Sequence, residues 1–304
     1  ESNKRNFIVH GSILAIAGIL VRIIGMLYRI PVVNIIGSEG NGIYGAAFNI
    51  YNIMLVLSSY GLPMAVSKLV SARFTKKRYK SAAKVLRCSL MVAVCTGGIA
   101  ALLVFFGASF IENVIYGGGL PGLAVPLRIL APTIFLVAIL GVIRGFFQGQ
   151  STMIPTAVSQ ILEQIVNAIV SIAAGYGMMK AFASSPDVAA YGAAGSTLGT
   201  AMGALTAVLF MGFLYAIYTP TFNRLKRKDR HTENQSTGQI CKIIIYTMIP
   251  IILGQTFYQI SALIDDVMFS NIMVGRDVTK SISMDLGNFS SSYSLLIGIP
   301  QGVA

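Results

Sequence analysis

FIVHGSILAIAGILVRIIGMLYRIPVVNII, residues 7–36, is a run of apolar residues without a single acid, interrupted by two arginines, Arg22 and Arg29. About 20 mainly apolar residues carry a helix across the hydrocarbon layer of a bilayer, so this run is long enough to span one. Lys4 and Arg5 precede it, and Ala15-Ile16-Ala17 imitates the cleavage site of a secretory leader. The apolar run ahead of that site extends only from Phe7 to Leu14 and contains His10, whereas the run after it continues for about twenty residues. The sequence therefore reads as an uncleaved first spanning helix.

Outward from this run the same pattern repeats. Apolar segments long enough to span occur at residues 43–70, 85–111, 123–147, 155–180, 191–218 and 240–274, and an eighth opens near Leu286. Across the 304 residues, 55% are hydrophobic and 11% charged, and the mean hydropathy is +0.72. Soluble domains carry about 25% charged residues, which their wetted surface requires. The chain is thus expected to be an all-α integral membrane protein, a polytopic helix bundle. A net charge of +12 suggests nucleic acid in a soluble protein. Here the bases lie in loops, so no nucleic-acid partner is expected and the charge is read as a topology signal. Cys88, Cys95, Cys241, His10 and His231 lack the spacing of a metal site or a disulfide framework.

The loops fix an expected orientation. Bases cluster ahead of the first helix, between helices 2 and 3 (Arg73, Lys76, Lys77, Arg78, Lys80, with Lys84 and Arg87 on the flank) and between helices 6 and 7 (Arg224, Lys226, Arg227, Lys228, Arg230). The alternate links carry Glu39, Glu112 and Asp187, with Lys180 their only flanking base. Basic loops stay in the cytoplasm, which places the N-terminus inside and invites anionic membrane lipids as partners. The eighth segment is still apolar at Ala304, and the chain begins at Glu1 rather than Met. We therefore expect a sequence truncated in its eighth helix. A weak internal repeat relates Gly61-Leu62-Pro63-Met64-Ala65-Val66 to Gly298-Ile299-Pro300-Gln301-Gly302-Val303. If it marks a duplicated fold, as in repeated transporters, residues 1–218 form a six-helix N-terminal lobe. Residues 219–239 are then a basic linker, and 240–304 begin a second lobe.

Charges inside spanning helices are costly and mark cavities or partners. Arg22 and Arg29 are seven apart, nearly two turns, and share a helix face. Arg22 lies about 22 Å from Phe7 by helical rise, near mid-membrane, and Arg29 about 10 Å further out, followed by Pro31. Two guanidinium forks on one face suit a phosphate; the alternative is pairing with carboxylates or carbonyls for structure. A second group spans the tight 4–5 turn, Arg144-Gly145-Phe146-Phe147-Gln148-Gly149-Gln150 through Pro155 to Glu163-Gln164. Arg144 is within reach of Glu163 across that antiparallel turn, either as a structural clamp or as a coupling pair. A third is Asp265-Asp266 in helix 7. Neighbours on a helix point about 100° apart, so the two acids are not expected to face one partner. One of them suits Na⁺ or a proton, or else makes a polar contact near the helix end.

With Arg22-x-x-Gly25 and Arg29, Ser59-Tyr60-Gly61-Leu62-Pro63, and the Arg144–Gln164 stretch, the whole chain resembles the multidrug/oligosaccharidyl-lipid/polysaccharide (MOP) exporter superfamily. It is most similar to the polysaccharide-biosynthesis branch that includes MurJ-type lipid II flippases and stage V sporulation B proteins. The resemblance implies a MATE/MurJ-like two-lobe fold around a central cavity. It also implies a transporter rather than an enzyme, in the cytoplasmic membrane of a bacterium, expected to be a monomer. Its partner would be an undecaprenyl-pyrophosphate-linked sugar, a lipid II-like precursor, moved between leaflets by alternating access. Such flippases space their helix-1 arginines six apart and place further arginines in helices 2 and 8. Here helix 2 offers only Lys68. Some relatives bind Na⁺ through an acid of helix 7, which matches Asp265 or Asp266 in place; no other cofactor is implied. The rival expectation is a MATE-type cation-coupled drug exporter, whose cargo calls for cavity acids rather than two arginines.

Overall fold

In a bilayer every backbone N–H and C=O of a lipid-exposed segment must be satisfied within the protein, and the helix does this within one segment. The computed structural model describes residues 2–230, 235–275 and 282–289, and no strand occurs among them. In chain order the helices are α1 (Ser2–Leu55), α2 (Leu62–Thr75), α3 (Tyr79–Phe110), α4 (Ala124–Gln148), α5 (Ile154–Ala181), α6 (Val188–Lys228), α7 (Thr237–Val274) and α8 (Ile282–Phe289). Single π-helical turns at Val56–Tyr60 and Ile111–Ile115 follow α1 and α3.

The helical stretch from Leu14 to Thr75 has 62 residues, a rise of about 93 Å and some three times the hydrocarbon thickness. It crosses twice because Gly37 breaks it, with φ 70° and ψ 179°. Glycine adopts that left-handed φ without a Cβ penalty. The neighbours prove the reversal. On the first arm, residues 2–36, Gly25 lies against Gln164, Tyr28 against Asn167 and Ile36 against Gly175, so the arm runs parallel to α5. The second arm, residues 38–55, runs back, and the chain beyond it reaches the opposite end of the bundle at α2. The link expected between the first two helices, residues 37–42, is thus one residue of break followed by helix.

Glycines set the closest approaches. Gly141 and Gly145 of α4 and Gly149 at its C-cap recur every four residues, forming a groove in which α2 rides. A Cβ on Gly145 would stand 2.6 Å from the Pro63 carbonyl oxygen, and one on Gly149 2.9 Å from that of Ser67. At the other end, Gly42 of the second arm meets the Ser283 backbone of α8, and Gly287 meets the Ser38 carbonyl. Ser38/Gly42 and Ser283/Gly287 are both four apart, the small-residue spacing that lets membrane helices touch backbone to backbone. Asn41 Nδ2 donates to the Gly287 carbonyl across this contact at 2.8 Å.

The buried core is divided by depth. One cluster at the Gly37 end gathers Ile43, Tyr44, Tyr116, Leu120, Leu127 and Ile282. At the basic end, Leu62, Val66, Val85, Phe146, Phe222 and Ile244 form another. The basic end is also knotted by polar contacts. The Asp229 carboxylate accepts the Lys80 backbone N–H at 2.8 Å, and Arg73 Nη2 donates to Gln235 Oε1 at 3.0 Å. Lys84 Nζ donates to the Gln235 carbonyl. Of the basic link between helices 6 and 7, residues 219–228 continue α6, beyond the helix end expected at Tyr218. Asp229 and Gln235 pack on the adjoining ends of α2 and α3. Ser236 then opens α7 with a capping box to Gln239. The Gly298–Val303 half of the internal repeat lies outside the described residues.

Candidate functional site

The first arm docks on α5 through Gly25 and Tyr28, and this leaves the two arginines in different settings. Arg22 is exposed and makes no hydrogen bond or ion pair among the described residues. Arg29 is half-buried, with its Cζ 5.5 Å from the centroid of the Tyr44 ring on the second arm, within cation–π range. Tyr44 continues an aromatic row with Phe48, ring centroids 4.5 Å apart, and Tyr51. The chain thus places Arg29 between its two arms and Arg22 on the open side of the first. Arg22 has no carboxylate among the described residues, so the structural pairing that the sequence left open has no counterpart there.

Arg144 and Glu163 meet as the 4–5 turn requires. Arg144 Nη2 lies 2.7 Å from Glu163 Oε2, and its Nε donates to Ser159 Oγ at 2.9 Å. Ser159 Oγ in turn donates to the Thr156 carbonyl at 2.8 Å. The motif divides its labour by face: Gly145 and Gly149 accept α2, and Arg144 holds α5. Glu163 keeps 27% of its side chain exposed and Arg144 14%, so the pair is only partly withdrawn from solvent or lipid.

The adjacent acids of α7 separate, as the helical geometry requires. Asp265 is exposed, and Asp266 turns inward to accept a hydrogen bond from Asn49 Nδ2 of the second arm at 2.5 Å. Around it, Ser270 Oγ donates to the Tyr116 carbonyl at 2.8 Å, and Asn271 Nδ2 to that of Ile115 at 2.7 Å. Burial, and secondarily the Asp266 charge, push the Tyr116 phenol well above the ordinary tyrosine range. The ring therefore stays neutral. Among the described residues no three His, Cys, Asp or Glu side chains converge on a common point. Asp266 and the Asn49 amide oxygen would supply two hard oxygens to a Na⁺ ion, fewer than a full shell.

Lys68 stands apart from both arginines. It lines a cleft of about 350 Å³ at the basic end, between α2 and the 4–5 turn. Asn49, Tyr44 and Ser159 are site neighbours that sequence reasoning missed. The signal for Asn49 was present, since an amide inside an apolar spanning helix calls for a polar partner.

This arrangement of long crossing helices, broken at Gly37 and knotted at the basic end, defines a multi-pass membrane protein with the fold of the MOP exporter superfamily. The inward-facing structure of a multidrug-resistance MATE family transporter of that superfamily superposes with a TM-score of 0.66 over 98% of this chain and 63% of that one, at 16% identity. A MOP superfamily transporter from Pyrococcus furiosus gives 0.64 over 96% and 64%, at 15% identity. The chain belongs to the polysaccharide biosynthesis protein family, which it matches over residues 8–304. It is 34% identical over 176 residues to the lipid II flippase MurJ of Bacillus subtilis, covering 56% of this chain and 32% of that protein. To stage V sporulation protein B of the same organism it is 30% identical over 210 residues, covering 68% and 39%. The chain spans about a third to two fifths of the length of these two curated relatives in the matched regions.

Proposed function

We propose that the protein is a flippase that moves an undecaprenyl-pyrophosphate-linked cell-wall or polysaccharide precursor, similar to lipid II, across a bacterial cytoplasmic membrane by alternating access. The observation that carries this reading is Arg22, a guanidinium on the membrane-crossing first arm that is exposed and without a protein partner among the described residues. Moving a pyrophosphate through a low-dielectric layer is costly, and a fixed cation along its path lowers that cost. Arg22 offers a planar fork of donors to phosphate oxygens, and Arg29, further along the same face, continues the path outward. Residues 1–218 act as one lobe and residues 240–304 begin the second, joined by the basic linker 219–239, with the basic end and the N-terminus cytoplasmic. The protein works as a monomer. The Asn49–Asp266 hydrogen bond ties the second arm to α7, the two elements that the lobes must part. A Na⁺ ion or proton taken up at Asp266 weakens that tie, which supplies a coupling step.

The test is transport of a lipid-linked precursor by the full-length protein in proteoliposomes. Arg22→Ala should insert at normal levels and slow transport by about 10- to 100-fold, the worth of a charge-assisted contact. Arg22→Lys keeps the charge, loses the bidentate geometry and should fall between the two. Full activity in Arg22→Ala ends the pyrophosphate reading. Movement of cationic drugs without movement of the lipid replaces it with the drug-exporter alternative, and movement of neither points to a scaffold for cell-wall assembly.

A further inference from the structure

At the basic end, α2 packs on Gly145 and Gly149 through Pro63, Val66, Ser67 and Val70. Beside this contact lies the cleft of about 350 Å³ that contains Lys68. Its polar walls are Ser67, Lys68 and Ser71 from consecutive turns of α2, with Gln148 and Ser151 from the end of α4 and the turn. Ser151 holds a left-handed backbone, φ 60°, in that turn. None of these five side chains donates or accepts a hydrogen bond within the described protein, although each carries a donor. No acid lines the cleft. Met64, 59% exposed, and Met153 add the apolar part of the lining.

We propose that this cleft binds the phosphate of a lipid headgroup, with the lipid chain lying along Met64 and Met153. A converging set of one cation, three hydroxyls and an amide matches the oxygens of a phosphate monoester or diester. The ammonium acts as a point charge and the neutral donors fill the remaining lone pairs. The absence of a carboxylate removes competition for Lys68, and the unused donors mean that no internal bond must break before a ligand enters. The location at the helix ends of the basic face is where headgroups of the bilayer lie. Two lipids share this chemistry, a resident anionic phospholipid and an isoprenoid pyrophosphate. The site does not depend on the flippase reading, because Arg22 is not part of it.

Thr152→Cys in the full-length protein, with Cys88, Cys95 and Cys241 replaced, provides a local reporter beside the cleft and outside its five donors, in micelles of a neutral detergent. Its rate of reaction with a water-soluble maleimide should fall at least about fivefold on adding phosphatidylglycerol or undecaprenyl pyrophosphate, and not on adding undecaprenol, which lacks the phosphate. Stronger protection by phosphatidylglycerol assigns a resident lipid, and stronger protection by the pyrophosphate assigns the cargo class. Lys68→Gln should abolish the protection, and Arg22→Ala should leave it intact. Equal protection by undecaprenol, or protection that survives Lys68→Gln, overturns the proposal. Should the cysteine variant fail to fold, native mass spectrometry of the Lys68→Gln protein reads the same loss as roughly tenfold weaker retention of phosphatidylglycerol. Retention equal to the parent protein then overturns it. Loss of transport in Arg22→Ala tests the flippase separately.

Discussion

Arg144 serves Glu163 and Ser159 at once, so the arginine is held by more than the carboxylate. Removing the arginine leaves a carboxylate 27% exposed. A fully buried broken pair costs about 3–5 kcal/mol and an exposed one less than 1, so Arg144→Ala should cost about 1–3 kcal/mol. Arg144→Glu should lower the yield of folded protein, and combining it with Glu163→Arg should restore part of that yield, as read by fluorescence size-exclusion chromatography. Glu163→Gln separates the two roles left open by the spacing. Normal yield with lost transport assigns coupling, and reduced yield with proportionate transport assigns a clamp. The pair was legible in the sequence because a tight antiparallel turn constrains which side chains meet. The Asn49–Asp266 bond joins residues 217 positions apart. Its donor was not legible, since nothing local to either residue names the other.

Between elements, glycine positions decide how near two backbones come. Gly145→Ala places a methyl 2.6 Å from the Pro63 carbonyl oxygen, so α2 must move. Overpacking of this kind costs about 1–3 kcal/mol and should lower the melting temperature of the detergent-solubilised protein by several degrees. Gly98→Ala and Gly107→Ala on α3 meet nothing within 4 Å. Those variants should melt at or slightly above the parent temperature, because alanine favours helix by up to about 1 kcal/mol. Equal melting of Gly145→Ala and Gly98→Ala would show that α2 does not depend on the α4 groove. The sequence identified the Arg144–Gly149 stretch as special but offered Gly149 only as a turn residue. Its part in helix packing is visible only once α2 lies across it.

For the molecule as a whole, the adjoining ends of α2 and α3 and the link between α6 and α7 interlock through Asp229, Gln235, Arg73, Lys80 and Lys84. They must therefore lie on one side of the membrane. We propose from the excess of Lys and Arg that this side is cytoplasmic. Cysteines introduced near Lys77 and near Lys228, with the native cysteines replaced, should both resist an impermeant thiol reagent in intact cells and both react after permeabilisation. Labelling of both in intact cells inverts the orientation, and labelling of only one contradicts the interlocked end.

Composition and apolar run length by themselves determined that this chain is a bundle of membrane-crossing helices. Hydrocarbon admits few alternatives to a helix, and the ~30 Å thickness fixes the length of each crossing. The helix count through α7, the paired Arg144 and Glu163, and the divergence of Asp265 from Asp266 follow from rise, turn and periodicity, which are local quantities. Tertiary structure alone decided that the first link shrinks to Gly37 and that α8 closes on Gly42. It also chose Asn49 as the partner of Asp266 and put Lys68 in a cleft of its own rather than beside Arg22. Those outcomes depend on which apolar faces pack together. Lipid-facing and helix-facing residues are equally apolar in a membrane protein, so the sequence does not distinguish the two surfaces.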